Sequence, residues 1–326
     1  MTPLITVIIV SYNTRDMLAR CLDSLRPETA GGGVRVVVVD NASHDGSPAL
    51  VRARFPWVTL VESPTNLGFA AANNLALRAL ATPYALLLNS DTEVAPGAVR
   101  ALLDCMERHP SAGVVACRLL NTDGSLQRSC WRFPTPRRAL AEALGLTQLL
   151  GRRSNYNEWD YASERRVDFA IGACLLLRKA ALDRAGLFDE RFFMYSEEMD
   201  LTLRLARGGW ETWYTPACSV VHHGGASGSA NTPDQFLHAR ELYYEKWYGR
   251  SGLAILRISQ AVGASLRLMG FGALSLLRPR PLIRAQVRRH AALLWWVLHE
   301  SASTVSENNR YATRTRTRTM GEEKAS

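Results

Sequence analysis

Apolar and polar positions come in alternating blocks over the first 120 residues. ITVIIV (5–10) and VRVVVVD (34–40) are β-branched runs too short for a helix and almost free of polar interruption. WVTLVES (57–63) and YALLLNSD (84–91) have the same character. Between them the period changes. In TRDMLARCLDSLR (14–26), Met17, Leu18, Cys21, Leu22 and Leu25 recur at helical spacing. SPALVRARF (47–55) reads as a short helix, and NLGFAAANNLALRAL (66–80) as a helix opened by Gly68. Continuous apolar strands separated by helices predict an α/β fold with a mostly parallel central sheet covered on both faces. Ligands of such sheets gather beyond the carboxyl ends of the strands.

The pattern then changes. Residues 121–166 are polar, aromatic and punctuated by proline, and read as an acceptor-side insertion or flap. DFAIGACLLLR (168–178) is a further strand-like run leading into the helix KAALDRAG, and ETWYTPACSVVHH (211–223) is another strand. From about residue 236 the chain becomes helical. The expected organisation is a catalytic domain over 1–235, an amphipathic helical region over 236–302 and a disordered basic tail over 303–326.

Composition adds two points. With 47% hydrophobic residues the chain can fill a large core, and its six cysteines contain no CxxC pair, which argues against a zinc site or a disulfide framework. No basic segment precedes the first apolar run and no small-residue cleavage site follows it, so that run reads as a strand and not as a signal peptide. The charge is unevenly spread. Residues 1–245 carry 25 Lys/Arg against 26 Asp/Glu, and residues 246–326 carry 14 against 4, so the net +9 resides in the last quarter. Such a segment seeks an anionic membrane surface or nucleic acid. Arg257 and Arg267 interrupt the longest apolar helix, each costing a few kcal/mol in hydrocarbon. A helix lying on a membrane fits better than one crossing it.

The candidate chemistry lies at strand ends. Asn89, Ser90, Asp91 and Glu93 close an apolar strand with oxygen ligands suited to a hard divalent cation, although the same residues favour turns. Asp40 can accept a hydrogen bond from a nucleobase or cap the next helix. Glu197, Glu198 and Asp200 crowd a helix start behind the bulky Phe192, Phe193 and Tyr195. The helix dipole favours acids there, and apolar bulk raises their pKa toward that of a useful general base. His222 and His223 follow another strand, and one neutral imidazole could be a metal ligand.

These segments, in this order, resemble the family 2 inverting glycosyltransferases, and within them the rhamnosyltransferase-like group. The matching pieces are VIIVSYN, VVVVDNASHDGS, NLGFAAANN, LLLNSDTEV, DGSLQRS, GACLLLRKAAL, GLFDERFFMYSEEMDLTLRL and VVHHGGAS, spanning about residues 4–230. The resemblance implies a GT-A fold. It implies that Ser11, Tyr12, Asn13, Asp40, Asn66, Gly68 and Asn73 line the nucleotide pocket together with Asn89 and Ser90. Gly172 and Ala173 would border the sugar, with Trp131 on the acceptor side. Asn89-Ser90-Asp91 stands at the family's DxD motif, so Asp91, with Glu93 nearby, would hold Mg2+ or Mn2+. His222 would complete the metal site, with His223 the fallback. Glu198 takes the place of the catalytic base, Glu197 precedes it, and Asp200 is the alternative base.

The implied reaction moves a sugar from a nucleotide-diphosphate donor to a polyprenyl-linked saccharide in bacterial cell-wall or surface polysaccharide assembly. The enzyme would lie peripherally at the cytoplasmic face of the cell membrane. dTDP-rhamnose is favoured as donor, and UDP-sugars and GDP-mannose stay open, as does a homo-oligomer. Three other readings compete. A sugar-nucleotide nucleotidyltransferase needs a glycine-rich phosphate loop after the first strand, where this chain has SYNTRDM. A nucleic-acid-binding protein would use the RTRTRTR-like tail, but nucleic acid is not the expected partner. A degenerate transferase would be disabled at Asn89 and Glu198.

Overall fold

The computed structural model describes residues 3–146, 156, 158–224, 233–277 and 280–299. The expected tail over 303–326 lies outside the described residues. Two compact units emerge. The first comprises the chain to Phe133 and Trp159–Phe236; the second comprises Pro134–Glu158 and the helices from Leu237 on.

The first unit begins with four parallel strands: β1 (Ile5–Ser11), β2 (Val34–Asp40), β3 (Thr59–Glu62) and β4 (Tyr84–Asn89). Helices α1 (Arg15–Thr29), α2 (Ser47–Arg54) and α3 (Gly68–Arg78) alternate with them. The apolar runs are buried on both faces: Val7, Ile8 and Ile9 of β1 are wholly inaccessible, as are Val38 and Val39 of β2. Each such side chain contributes about 1.5–3 kcal/mol when fully buried. Leu18, Cys21, Leu22 and Leu25 of α1 lie in the same core, so the helical spacing marks the buried face.

Beyond β4 the sheet is mixed. Its order is β3-β2-β1-β4-β11-β6-β12-β5, with β7 paired to β6 and β9 to β12. Here β5 is Thr92–Val94, β6 Ala112–Leu120, β7 Leu126–Gln127, β9 Arg165–Val167, β11 Cys174–Arg178 and β12 Glu211–His222. β11 runs antiparallel between β4 and β6. The run DFAIGACLLLR is thus not one strand. Its first part, β10 (Phe169–Ala170), pairs with β8 (Cys130–Trp131) in a separate two-stranded sheet, and only its second part enters the main sheet. The break falls at Ile171–Ala173, where the Ile171 amide donates to the Ser129 carbonyl at 3.0 Å and the Ala173 carbonyl accepts from the Asn89 amide at 3.0 Å. Helices α4 (Ala98–Arg108), α6 (Lys179–Ala185) and α7 (Glu197–Arg207) complete this unit. All six cysteines are unpaired.

The second unit holds α5 (Pro136–Ala143), most of α8 (Pro233–Leu277) and α9 (Pro281–His299). The α5 helix, in the stretch read as an insertion, therefore clusters with the C-terminal helices, while residues 121–133 supply β7 and β8 to the first unit. Gly249, at φ 66°, breaks α8 into two helical pieces. No helix among the described residues is long and apolar enough to cross a membrane. Arg257 does not face solvent alone: its guanidinium makes a two-pronged pair with Glu241 at 2.6 and 2.8 Å. The second piece of α8 leaves Ile255, Ile258, Val262, Leu266, Met269 and Leu276 exposed. At 100° per residue these six fall on one side of the helix.

Candidate active site

The strand register sets the site. Ser11 lies level with Asp40, and Val10 with Asn89, so three polar strand ends form one row along the carboxyl edge of the sheet. The loops beyond them are laced together. The Asn13 amide donates to Ser43 Oγ at 3.0 Å, and Asn13 Oδ1 accepts from the His44 amide at 2.8 Å. Asn13 (φ 52°) and Ala42 (φ 67°) adopt the left-handed conformation, which is strained for alanine and is a feature of functional turns. Tyr12 is partly buried beside them. Asp40 is almost inaccessible; its Oδ2 accepts from the Ser43 amide at 2.9 Å, while its Oδ1 has no hydrogen-bond partner. A buried acceptor left open in this way costs about 1–3 kcal/mol, which marks a position awaiting a donor.

Two residues absent from the sequence-based set organise this edge. Thr14 links Ser11 Oγ at 3.0 Å to Ser90 Oγ at 2.8 Å, tying the end of β1 to the turn after β4. Asn41 donates to Asn66 Oδ1 at 2.8 Å and accepts from the Leu67 amide at 2.9 Å, fixing the entry to α3. Asn73 is committed to its own helix, where its side-chain amide donates to the Phe69 carbonyl at 2.9 Å. Its neighbour Asn74 grips the Phe188 amide and carbonyl.

Asp91 and His222 come together. His222 Nε2 lies 3.4 Å from Asp91 Oδ1 and 3.4 Å from Asn89 Nδ2. Glu93 and His223, expected around the same ion, pair with each other instead, His223 Nε2 to Glu93 Oε1 at 2.7 Å. The reason is geometric. Val221 lies level with Glu93 and His222 with Thr92, so Glu93 and His223 fall on one side of the β5–β12 pair and His222 on the other, while Asp91 sits in the turn before β5. A carboxylate oxygen and an imidazole nitrogen suit Mg2+ or Mn2+, and two protein ligands leave coordination positions for diphosphate oxygens and water. Among the described residues the one group of three ligand side chains with atoms within 4.8 Å of one another is elsewhere: Cys105, His109 and Glu164. There Glu164 is already engaged by Arg108 and Thr215, and burial pushes the Cys105 thiol up to about 12. That chemistry suits a structural cluster.

The loop that leads into the acidic helix start packs on α3. The amide of Phe69 donates to the Phe193 carbonyl at 2.7 Å, which brings the loop before α7 against the start of α3. Gly68 permits this: a Cβ there would stand 2.2 Å from the Phe193 oxygen. α7 packs on β10. From β10 the chain continues through Gly172, near the Phe69 ring, to Ala173 and its bond with Asn89. Trp131 lies opposite Phe169 in the small sheet.

Tyr195 (φ 71°) and Ser196 (φ 67°) are both left-handed, immediately before the acids. Glu197 is buried, and burial followed by the Glu198 charge holds its carboxyl well above the usual range. Burial pushes Glu198 up to about 7. In each side chain Oε2 is enclosed without a hydrogen-bond partner. The two carboxyls are adjacent, so a charge on either disfavours ionisation of the other. Asp200 differs. Its wholly buried carboxylate takes the Arg204 guanidinium at 2.9 Å, and Arg204 also donates to the carbonyls of Ala185, Gly186 and Leu187. Asp200 therefore pins α7 to the turn after α6 and is poorly placed to exchange a proton.

The fold and its polar edge define a glycosyltransferase of the GT-A type. The chain belongs to the family described as Glycosyl transferase family 2, whose model matches residues 6–185. Family membership decides against the nucleotidyltransferase and nucleic-acid-binding readings. An N-acetylglucosaminyl-diphospho-decaprenol L-rhamnosyltransferase of Mycobacterium tuberculosis is 34% identical over 242 residues, covering 68% of this chain and 77% of that protein. An O-antigen biosynthesis protein of Myxococcus xanthus is 27% identical over 77% of this chain and 20% of its own length. Among solved structures, a mannosyltransferase from Pyrobaculum calidifontis in complex with GDP-Man and Mn2+ has a TM-score of 0.51 at 21% identity, covering 90% of this chain and 86% of that one. GalNAc-T7 with UDP, GalNAc and Mn2+ has a TM-score of 0.54 at 14% identity, covering 94% and 58%. These two show the fold.

Proposed function

We propose that the protein is an inverting transferase that moves a sugar, with rhamnose favoured, from a nucleotide-diphosphate donor to a hydroxyl of a polyprenyl-linked saccharide. Two observations carry this reading: the Asp91–His222 pair beyond the ends of the sheet strands, and a buried, raised Glu198 with a partnerless oxygen, at the start of the helix whose preceding loop is bonded to α3. The name of the mycobacterial relative supports rhamnose and the lipid-linked acceptor.

In this mechanism Asp40 offers its open oxygen to the base or ribose, with Ser11, Tyr12, Asn13, Asn66 and Gly68 around it. Asp91 and His222 would hold Mg2+ or Mn2+, which would supply positive charge to neutralise the leaving diphosphate. Glu198 accepts the proton of the acceptor hydroxyl. That oxygen bonds to the anomeric carbon as the bond to the diphosphate breaks on the opposite side, so the configuration inverts and the nucleoside diphosphate departs. The low-dielectric pocket keeps Glu198 basic enough for this at neutral pH.

A transfer assay tests the reading directly. dTDP-rhamnose, UDP-galactofuranose, UDP-hexoses and GDP-mannose would each be offered with Mn2+ and a polyprenyl-diphosphate N-acetylglucosamine. Metal-dependent transfer from one donor is expected; neither transfer nor binding of any donor would overturn the proposal. The ionised form of Glu198 is the competent one, so kcat/KM should rise with pH through about 7 and be lost below it. A profile flat from pH 5 to pH 9 would remove Glu198 from the base role.

The reading also places the protein at the cytoplasmic membrane face. Residues 246–299 contain nine Lys/Arg and no Asp/Glu, and the exposed apolar side of α8 accompanies them. An anionic leaflet contributes roughly 1 kcal/mol per nearby basic residue, whereas a second copy would bring like charges together. Full-length protein should float with anionic liposomes, and a chain ending near residue 245 should not. Equal flotation would reject the membrane role.

A further inference from the structure

The segment NTDGSLQ (121–127) holds a directional chain of hydrogen bonds that ends on His222. After β6, residues 121–125 make a tight turn closed by the Asn121 amide on the Ser125 carbonyl at 2.8 Å, and β7 returns beside β6 with Gln127 opposite Leu119. The Ser125 hydroxyl donates to Asp123 Oδ1 at 2.6 Å. Asn121 Nδ2 donates to Ser125 Oγ at 2.9 Å, Gln127 Nε2 donates to Asn121 Oδ1 at 3.1 Å, and Gln127 Oε1 meets His222 Nδ1 at 2.7 Å.

Each link fixes the next. An ionised carboxylate only accepts, so the single hydroxyl hydrogen of Ser125 points to Asp123 and its oxygen must accept from Asn121. This sets the Asn121 amide with Oδ1 toward Gln127. The Gln127 amide is then set with Nε2 toward Asn121 and, at 3.5 Å, the His222 carbonyl. Its Oε1 is left facing the imidazole. A carbonyl oxygen there demands a hydrogen on Nδ1, so in the neutral ring Nε2 keeps its lone pair. That nitrogen is the one 3.4 Å from Asp91 Oδ1.

We propose that Asp123, Ser125, Asn121 and Gln127 form a relay that locks His222 in the Nδ1–H tautomer, presenting Nε2 as a ready ligand toward the Asp91 carboxylate. Nε2 stands 3.4 Å from the Asn89 side-chain amide, which can donate to its lone pair, and 3.4 Å from Asp91 Oδ1, so a cation taken up by Asp91 meets an unprotonated nitrogen. The relay thus prepares a cation position before any cation arrives. It also assigns work to polar residues outside the sequence-based set of candidates. Gln127 is a positioning residue: it acts through His222 and need not touch substrate. The cation half rests on the reading proposed above; the tautomer half does not.

The test is long-range 1H–15N NMR of the metal-free, full-length protein at pH 8, with the His222 signals assigned through His222→Asn. Wild type should show the hydrogen on Nδ1. Gln127→Leu should shift the population toward Nε2–H, while Gln127→Glu, which still only accepts at that position, should retain Nδ1–H. A hydrogen on Nε2 in wild type, or no change in Gln127→Leu with Gln127→Glu folded as a control, would overturn the relay. Mn2+ added with dTDP should then broaden the His222 signals of wild type and of Gln127→Glu. Gln127→Leu should need about ten- to a hundredfold more Mn2+ for the same broadening. Absence of broadening in wild type would overturn the cation half alone.

Discussion

Glu198→Gln should lower turnover by about a hundredfold to ten-thousandfold, on the order of 3–5 kcal/mol of transition-state stabilisation, with donor binding close to wild type. The amide keeps the shape of the side chain and cannot take up the hydroxyl proton. It also removes one of two carboxyls crowded at the start of α7, where Glu197 is raised partly by the charge of Glu198. The fold should therefore be no less stable. Single-turnover transfer measured beside thermal melting separates chemistry from folding. Turnover equal to wild type would eliminate Glu198 as the base, and collapse of the fold would show that its carboxylate has a structural task.

Gly68→Ala should do the opposite, harming the fold first. The new Cβ would lie 2.2 Å from the Phe193 carbonyl oxygen, with backbone at φ 80°. Left-handed backbone costs roughly 1–2 kcal/mol for an L-residue, and forced overpacking about 1–3 kcal/mol more. A loss of roughly 2–5 kcal/mol is expected in urea or thermal unfolding. Turnover should fall with it, because the contact that yields is the one holding the loop before Glu197 and Glu198 against α3. An unchanged melting temperature together with normal activity would show that this loop is not held there.

These variants also mark what a linear reading can reach. Ser11, Asp40 and Asn89 are legible as strand ends because each closes a dense apolar run, and parallel pairing then sets them level. Gly68 is legible as a helix start, though nothing local announces Phe193 as the reason for a glycine. The antiparallel entry of β11 is hidden because an apolar run carries no direction, and its break at Gly172 looks like one more small residue. Asn74 and Phe188 meet across 114 positions. The relay from Asp123 to His222 likewise closes only when Gln127 and His222, 95 positions apart, become neighbours. His223 reads as the fallback ligand and Glu93 as a nearby one until the register of β5 on β12 sets the two against each other. Asp200 reads as a spare acid until Arg204 occupies it.

The level ends of β1, β2 and β4 have one more consequence. Strands that are greasy on both sides have no inner and outer face by which to tell one alignment from the next; sliding β1 past β2 by a step exchanges one valine for another. Dragging Ser11 or Asp40 inward is different, since each hydroxyl or carboxyl stripped of partners costs on the order of 1–3 kcal/mol. The groups proposed to meet the nucleotide thus double as end-stops for the sheet, so a mutation made to blunt binding there also loosens the means by which the strands find their places.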